Sequence, residues 1–494
     1  MNPIKSLSIL FSFLFIAPAH AQVDEYFNNI KADPNALYAF FKAMPKGGEL
    51  HYHLAGGTYP ETMLSIAAKG NYCMDLRSFA VHKSTTHCDG IKVDELFNKP
   101  ELYSRVIKDW SLKDFIPGKE SAHDHFFNSF MKYMPIVFNY RAQLIADVVE
   151  RAAQQHEQYM ELMDITDNGN SLRFGELIKN VKSNDEKKQL LLANKEFQNN
   201  IEQTILESDS MLDGAQAVLG CKKNPERDAC KVKVKILYYV LREQPLNNLF
   251  AQALNAFEAV SRSKGNLVGV NLVQPEDGII SLRDYHQQME IFNYLHQQYP
   301  QVHISLHAGE LAPEAVTPED LSYHIHDALI TGHAQRIGHG VDIGYENNAK
   351  DTLDYMAKHQ LPVEINLISN QKLLNISGRN HPLNYYLKHN VPVVLSTDDE
   401  GVLRTDLTRQ YVEATIAHGL DYPTLKQINR NALTFAFLPG KSIWADAGKG
   451  EFVPECKDLN SLSCTTFTAK SEKAQLQWNL EQQLIIFENK FRIK

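Results

Sequence analysis

Two histidines with one residue between them, His51 and His53, lie in Glu49-Leu50-His51-Tyr52-His53-Leu54-Ala55-Gly56-Gly57, just after the turn-like Pro45-Lys46-Gly47-Gly48. On an extended strand residues i and i+2 face the same way, so both imidazoles would reach one metal ion, and the glycines would end the strand. Three later runs also end in polar residues: His307-Ala308-Gly309-Glu310, Gly338-His339-Gly340 and Ser396-Thr397-Asp398-Asp399. His51, His53, His307 and Asp398 together make a ligand set for a divalent ion of the zinc type, with a position left for water. Such an ion brings the pKa of bound water down to about 7 and makes hydroxide available at neutral pH. Glu310, three residues beyond His307, is placed to move a proton, and His339 to orient or deprotonate the water. Asp398 and Asp399 point apart on an extended chain, so one can bind metal while the other contacts substrate. Glycines beside His307 and His339, Gly309 among them, allow backbone and ligand to approach closely. Two further His-x-His pairs, His123 with His125 and His324 with His326, fall in helical patterns, where such positions diverge by about 200° and make a poor chelate.

The runs that carry these residues read as strand ends. Apolar segments are expected as strands at Glu49 to Leu54, Tyr159 to Asp164, Val232 to Arg242, Leu267 to Leu272, His303 to His307, Arg336 to Val341, Pro362 to Leu367 and Val391 to Ser396. Helical patterns separate them, which predicts a (β/α)₈ barrel whose active site lies at the C-terminal ends of the strands. The stretch from Tyr59 to Gln155 is longer than an ordinary βα connection and reads as helices around a loop at Cys73 to Asp89, a lid or wall near the first strand. Ser121 to Asp124 looks like a capped helix start. The tail from Tyr411 to Lys494 reads as mostly helical and packed outside the barrel.

Residues 1–21 read as a signal peptide. Lys5 precedes an apolar run from Leu7 to Ile16, and Ala19-His20-Ala21 supplies a small-x-small cleavage pattern. The run is too short for a membrane anchor, so the expected product is a soluble protein, exported to the periplasm or medium, with residues 22–494 forming one barrel domain with insertions. The six cysteines fall as close pairs, Cys73 with Cys88, Cys221 with Cys230 and Cys456 with Cys464, and local disulfides are the simplest framework for an exported chain. A formal charge of -9 without a basic run excludes nucleic acid polymers and anionic membranes as natural partners.

Met44-Pro45-Lys46-Gly47-Gly48-Glu49-Leu50-His51-x-His53-Leu54, Ser305-Leu306-His307-Ala308-Gly309-Glu310, Arg336-Ile337-Gly338-His339-Gly340, Ser369-Asn370 and Ser396-Thr397-Asp398-Asp399 resemble the adenosine deaminase family of metal-dependent hydrolases, from about Met44 to Phe437. Export, the long insertion and Leu272-x-x-x-Glu276-Asp277-Gly278 are similar to its secreted, growth-factor-related branch. The resemblance implies one Zn2+ per chain on His51, His53, His307 and Asp398. It implies that Glu310 protonates N1 of a small-molecule purine nucleoside while hydroxide attacks C6, that His339 positions the hydroxide, and that Asp399 holds N7. Adenosine or 2'-deoxyadenosine would give inosine or deoxyinosine plus ammonia. Three positions depart from the family: Ala55 stands where an Asp holds the ribose 5'-hydroxyl, Gln274 where a Gly donates its N–H to purine N3, and Glu400 where Pro is usual. Two rival readings keep the scaffold. One changes the substrate to another 6-aminopurine derivative, and the other makes the barrel a non-catalytic extracellular signalling or binding protein. The oligomeric state is left open.

Overall fold

The structure is a computed structural model that describes residues 19–84 and 87–491. Of the proposed signal peptide, residues 1–18 lie outside the described residues, and helix Ala19–Ile30 begins in its last three. Among the described residues no helix is long and apolar enough to cross a membrane.

The eight apolar runs form eight parallel strands: β1 (Glu49–His53), β2 (Tyr159–Asp164), β3 (Lys233–Leu241), β4 (Leu267–Val273), β5 (His303–Ala308), β6 (Arg336–His339), β7 (Val363–Ile365) and β8 (Val393–Leu395). They neighbour one another in chain order. Parallel strands are covered on both faces, which is why their sequences read as near-continuous apolar runs. Closure comes from the residue pair Tyr52 and Asp398. The His53 N–H donates to Asp398 O at 3.0 Å and the Asp398 N–H to His51 O at 3.2 Å. The result is a nearly closed (β/α)₈ barrel, and the bonds that close it run through expected site residues.

Several boundaries differ from the sequence expectation. The glycines after His53 do not simply stop β1, because Leu54–Gly57 winds into a helical turn. β7 is shorter than Pro362 to Leu367, since the chain enters helix Leu367–Leu373 at once. The segment expected as a loop at Cys73 to Asp89 is mostly loop but contributes to a small antiparallel sheet, with Tyr72–Met74 between Val81–Lys83 and Ile91–Lys92. Strands of two or three residues are too short to show an alternation in sequence. All three local cysteine pairs are disulfides.

The insertion is dominated by the helical segment Ala122–Gln154, kinked at Tyr140 and capped by Ser121, whose hydroxyl accepts the Asp124 N–H at 2.9 Å. Its Arg141 pairs with Asp164 at the end of β2. Nearer its C-terminus Arg151 reaches Gly57 O at 2.7 Å and Glu400 at 3.3 Å. The helix is therefore fixed across the barrel mouth at two points. Helices Tyr422–Thr434 and Glu472–Glu488 of the tail pack with Phe27 and Phe40 of the N-terminal helices, through Tyr422 and Phe487.

Candidate active site

Single polar residues interrupt the apolar strands and build a charged chain inside the barrel. Glu161 of β2 accepts from Arg336 of β6 at 2.6 Å, and Arg336 donates to Glu364 of β7 at 2.6 Å. The other oxygen of Glu364 bonds His51 Nδ1 at 2.8 Å. Carrying the proton on Nδ1 leaves the lone pair of His51 Nε2 directed into the mouth. On the neighbouring side Asn271 Oδ1 accepts the Leu272 N–H at 2.6 Å and lies 2.7 Å from His307 Nδ1, which fixes His307 in the same tautomer. The His51 ring fits because Gly338 carries no side chain: a Cβ there would stand 2.7 Å from His51 Cε1.

Ligand atoms of His51, His53, His307 and Asp398 all lie within 4.8 Å of one another. His53 Nε2 and His307 Nε2 are 3.1 Å apart, and Asp398 Oδ1 is 3.4 Å from His51 Nε2 and 3.3 Å from His53 Nε2. His51 Nε2 is buried and has no hydrogen-bond partner. Burial holds His53 down to about 4 and His307 well below the usual imidazole range, so both offer lone pairs. Burial also lowers His51, but the Asp398 and Glu364 carboxylates override it and push this ring up to about 9. Three convergent imidazoles, a buried carboxylate and an unpartnered ring nitrogen fit a bound divalent cation.

Glu310 and His339 complete the mouth. His339 lies 3.6 Å from Glu310 Oε1 through Nδ1 and 3.9 Å from Asp398 Oδ2 through Nε2. Burial, then Asp398 and Glu276, raise Glu310 well above the usual carboxyl range, while burial drops His339 to about 3. Asp398 and His339 both have a φ of 68°, the left-handed region in which a non-glycine residue is strained, as is common at functional sites. Ser369 Oγ donates to Asp398 Oδ2 at 2.7 Å.

Sequence reasoning missed Glu276 as a structural partner. Its two oxygens accept the backbone N–H of Gly309 and of Glu310, each at 2.9 Å, and His324 Nδ1 stands 2.6 Å from Oε1. Arg242 donates to His307 O at 2.7 Å from the other side. The turn that carries Glu310 is thus held by side chains from the ends of β3 and β4. Gly309, expected at the substrate, has its N–H occupied by Glu276. A single charged or amide residue inside an apolar strand was the available signal for Glu161, Asn271 and Glu364.

Two of the three departures from the pattern that the sequence resembles, Gln274 and Glu400, acquire physical explanations. Gln274 has a φ of 86°, which glycine adopts without strain, and its side chain is turned away to accept the Glu243 N–H at 2.9 Å. Glu400 accepts from Tyr52 Oη at 2.6 Å and pairs with Arg151, so it anchors the insertion helix. Ala55 is buried in the turn after β1. Asp399 lies against Gly56, where a Cβ would meet Oδ1 at 1.8 Å, and burial with the neighbouring Asp398 raises it well above the usual range. The other His-x-His pairs turn to separate partners. His123 faces Asp277 at 3.3 Å and His125 faces Glu120 at 3.0 Å, while His324 bonds Glu276 and His326 bonds Thr352 at 3.1 Å.

A family profile described as adenosine deaminase matches residues 203–444, a stretch that contains His307, Glu310, His339 and Asp398 but begins after His51 and His53. An adenosine deaminase of Klebsiella pneumoniae strain 342 is 38% identical over 137 residues, 28% of this chain and 38% of that protein. The chain therefore spans about two fifths of the length of the curated relatives it matches. Among solved structures, Arabidopsis ADAL complexed with IMP superposes with a TM-score of 0.55 at 18% identity, over 90% of this chain and 99% of the other. An amidohydrolase from Burkholderia ambifaria with bound Zn superposes with a TM-score of 0.52 at 14% identity, over 97% of each. These two likenesses concern the fold.

Proposed function

The chain belongs to the adenosine deaminase family, and on that premise we propose that it is an exported, zinc-dependent hydrolase that converts adenosine or 2'-deoxyadenosine to inosine or deoxyinosine, releasing ammonia. The observation that carries this reading is the convergence of His51, His53, His307 and Asp398 on one mouth with Glu310 and His339 beside them. The Zn in the Burkholderia ambifaria neighbour supports the choice of metal, and the three disulfides support export. Zinc on the four ligands would supply a water-derived nucleophile at neutral pH and a positive charge beside it.

The remaining chemistry belongs to the chain. Glu310 hands a proton to purine N1, which draws electrons from C6 and makes it electrophilic. His339 holds the attacking oxygen against one face of the ring, and Asp399 holds N7. Glu364 and Asn271 keep the His51 and His307 rings turned toward the metal, and Glu276 keeps Glu310 in reach of N1. The Gln274 backbone N–H is the candidate donor to N3, and Gly309 lines the pocket through its backbone.

A second reading, another 6-aminopurine derivative as substrate, is favoured by Ala55, which removes the expected acceptor for a ribose 5'-hydroxyl. A panel of adenosine, 2'-deoxyadenosine, adenine and adenosine 5'-monophosphate, followed by ultraviolet absorbance and ammonia release with the zinc-loaded protein, separates the two. The nucleosides are expected to turn over fastest. Preference for the base or the nucleotide would establish the second reading, and no turnover of any member would overturn both.

A further inference from the structure

Ser369-Asn370 carries one residue, Asn370, with no role in the chemistry above, yet its amide bridges two buried imidazoles. His381 Nδ1 accepts the backbone N–H of Leu383 at 3.1 Å. A backbone N–H only donates, so in the neutral His381 ring the proton sits on Nε2. That nitrogen lies 3.0 Å from Asn370 Oδ1, which accepts it. The Asn370 amide is thereby oriented, and its Nδ2 donates to His339 Nδ1 at 2.9 Å. Burial, with His418 and His339 nearby, lowers His381 to about 3, in keeping with a neutral ring.

We propose that the Leu383 backbone, His381 and Asn370 form a relay that fixes His339 in the tautomer protonated on Nε2. His381 and Asn370 are positioning residues in this scheme. His339 then presents an N–H toward Asp398 and the mouth, so it orients the attacking oxygen as a donor and does not take its proton. Asn366 satisfies the same polarity only with its amide turned over, because the atom that faces the ring as placed is the donor Nδ2. Nδ2 stands 3.4 Å from His339 Nε2 while the buried Oδ1 has no partner, and a half-turn of the amide exchanges the two, giving that oxygen the ring's N–H. The relay also protects the proton on Glu310. Glu310 Oε1 is 3.6 Å from His339 Nδ1, but the Nδ1 lone pair is already engaged by Asn370.

The role assigned to the donor rests on the deaminase reading, whereas the tautomer does not. Histidine ring nitrogens labelled with ¹⁵N report the tautomer directly in the full chain, with the His339 signals identified by their loss in His339→Ala. The expected wild-type ring is protonated on Nε2. Asn370→Asp accepts hydrogen bonds at both ends, so it should move the proton to Nδ1 and lower kcat at least 100-fold with little change in KM, in line with the ~10⁴-fold cost of a wrong histidine tautomer in a serine protease. His381→Leu should cost about tenfold, and His381→Gln, which restores an N–H donor, should stay within about threefold of wild type. A wild-type ring protonated on Nδ1, or an Asn370→Asp protein with unchanged tautomer, would overturn the relay even if the protein deaminates nothing. The expected tautomers with no deamination by the wild type would leave the relay standing and remove the deaminase reading alone.

Discussion

Glu310 and His339 stand together at the mouth but are supported from opposite sides, Glu310 by backbone hydrogen bonds to Glu276 and His339 by Asn370. If Glu310 is the N1 proton donor, Glu310→Gln keeps fold and metal content while turnover falls by about 10²- to 10⁴-fold, the usual contribution of general acid catalysis. Metal analysis and kcat on the same sample check this, and near-normal turnover removes Glu310 from the chemistry. Ala55 leads to a second expectation. A ribose 5'-hydroxyl that lacks a charged acceptor loses an interaction worth about 1.5 to 3 kcal/mol, so deleting that hydroxyl should matter little here. The kcat/KM for 5'-deoxyadenosine is expected within about tenfold of adenosine, and a drop of a hundredfold or more would show that another side chain has taken over the contact. The metal-cluster histidines were legible because strand periodicity puts His51 and His53 on one face. Glu276 and His381 were not, because their partners lie 33 and 11 residues away and meet only when the loops fold.

Eight strands were legible as elements, and their ends were less so. The reading of Val391 to Ser396 overshot β8, and the small sheet at Tyr72–Lys92 was missed, because such short strands are decided by partners elsewhere in the chain. The insertion helix was legible from its cap at Ser121, and its first turn has a measurable consequence. Burial would lower His123, but the hydrogen bond and charge of Asp277, with Asp124 and Glu310 nearby, raise it to about 9. A folded-state value above the unfolded one of about 6.5 means stabilisation that is complete below that pH and is lost as pH rises through about 9. His123→Ala should therefore cost about 1 kcal/mol at pH 6 and nothing at pH 10, measured by denaturant unfolding at both values. An equal cost at both would show that the ring contributes packing against Phe127 and not charge.

Across the whole molecule, the buried chain Glu161–Arg336–Glu364–His51 joins the barrel interior to the metal cluster. Glu364→Ala would leave Arg336 with one carboxylate partner in a fully buried setting, at a cost of about 3–5 kcal/mol, and would free the His51 ring to rotate. Zinc affinity should fall about 10- to 100-fold, and the rise in melting temperature on adding zinc should shrink in parallel. A stable variant with unchanged zinc affinity would separate the interior from the site. The insertion helix adds a constraint of a different kind. Arg151 and Glu400 lie 249 residues apart, in segments that would be exchanged separately in any recombination between relatives. A chimera that received the usual Pro at position 400 together with this helix would leave the Arg151 guanidinium without its buried carboxylate, and one that kept Glu400 without the helix would bury a lone charge against Tyr52. The two segments are one unit of inheritance, and a library that shuffles them independently should lose most of its folded members at that junction.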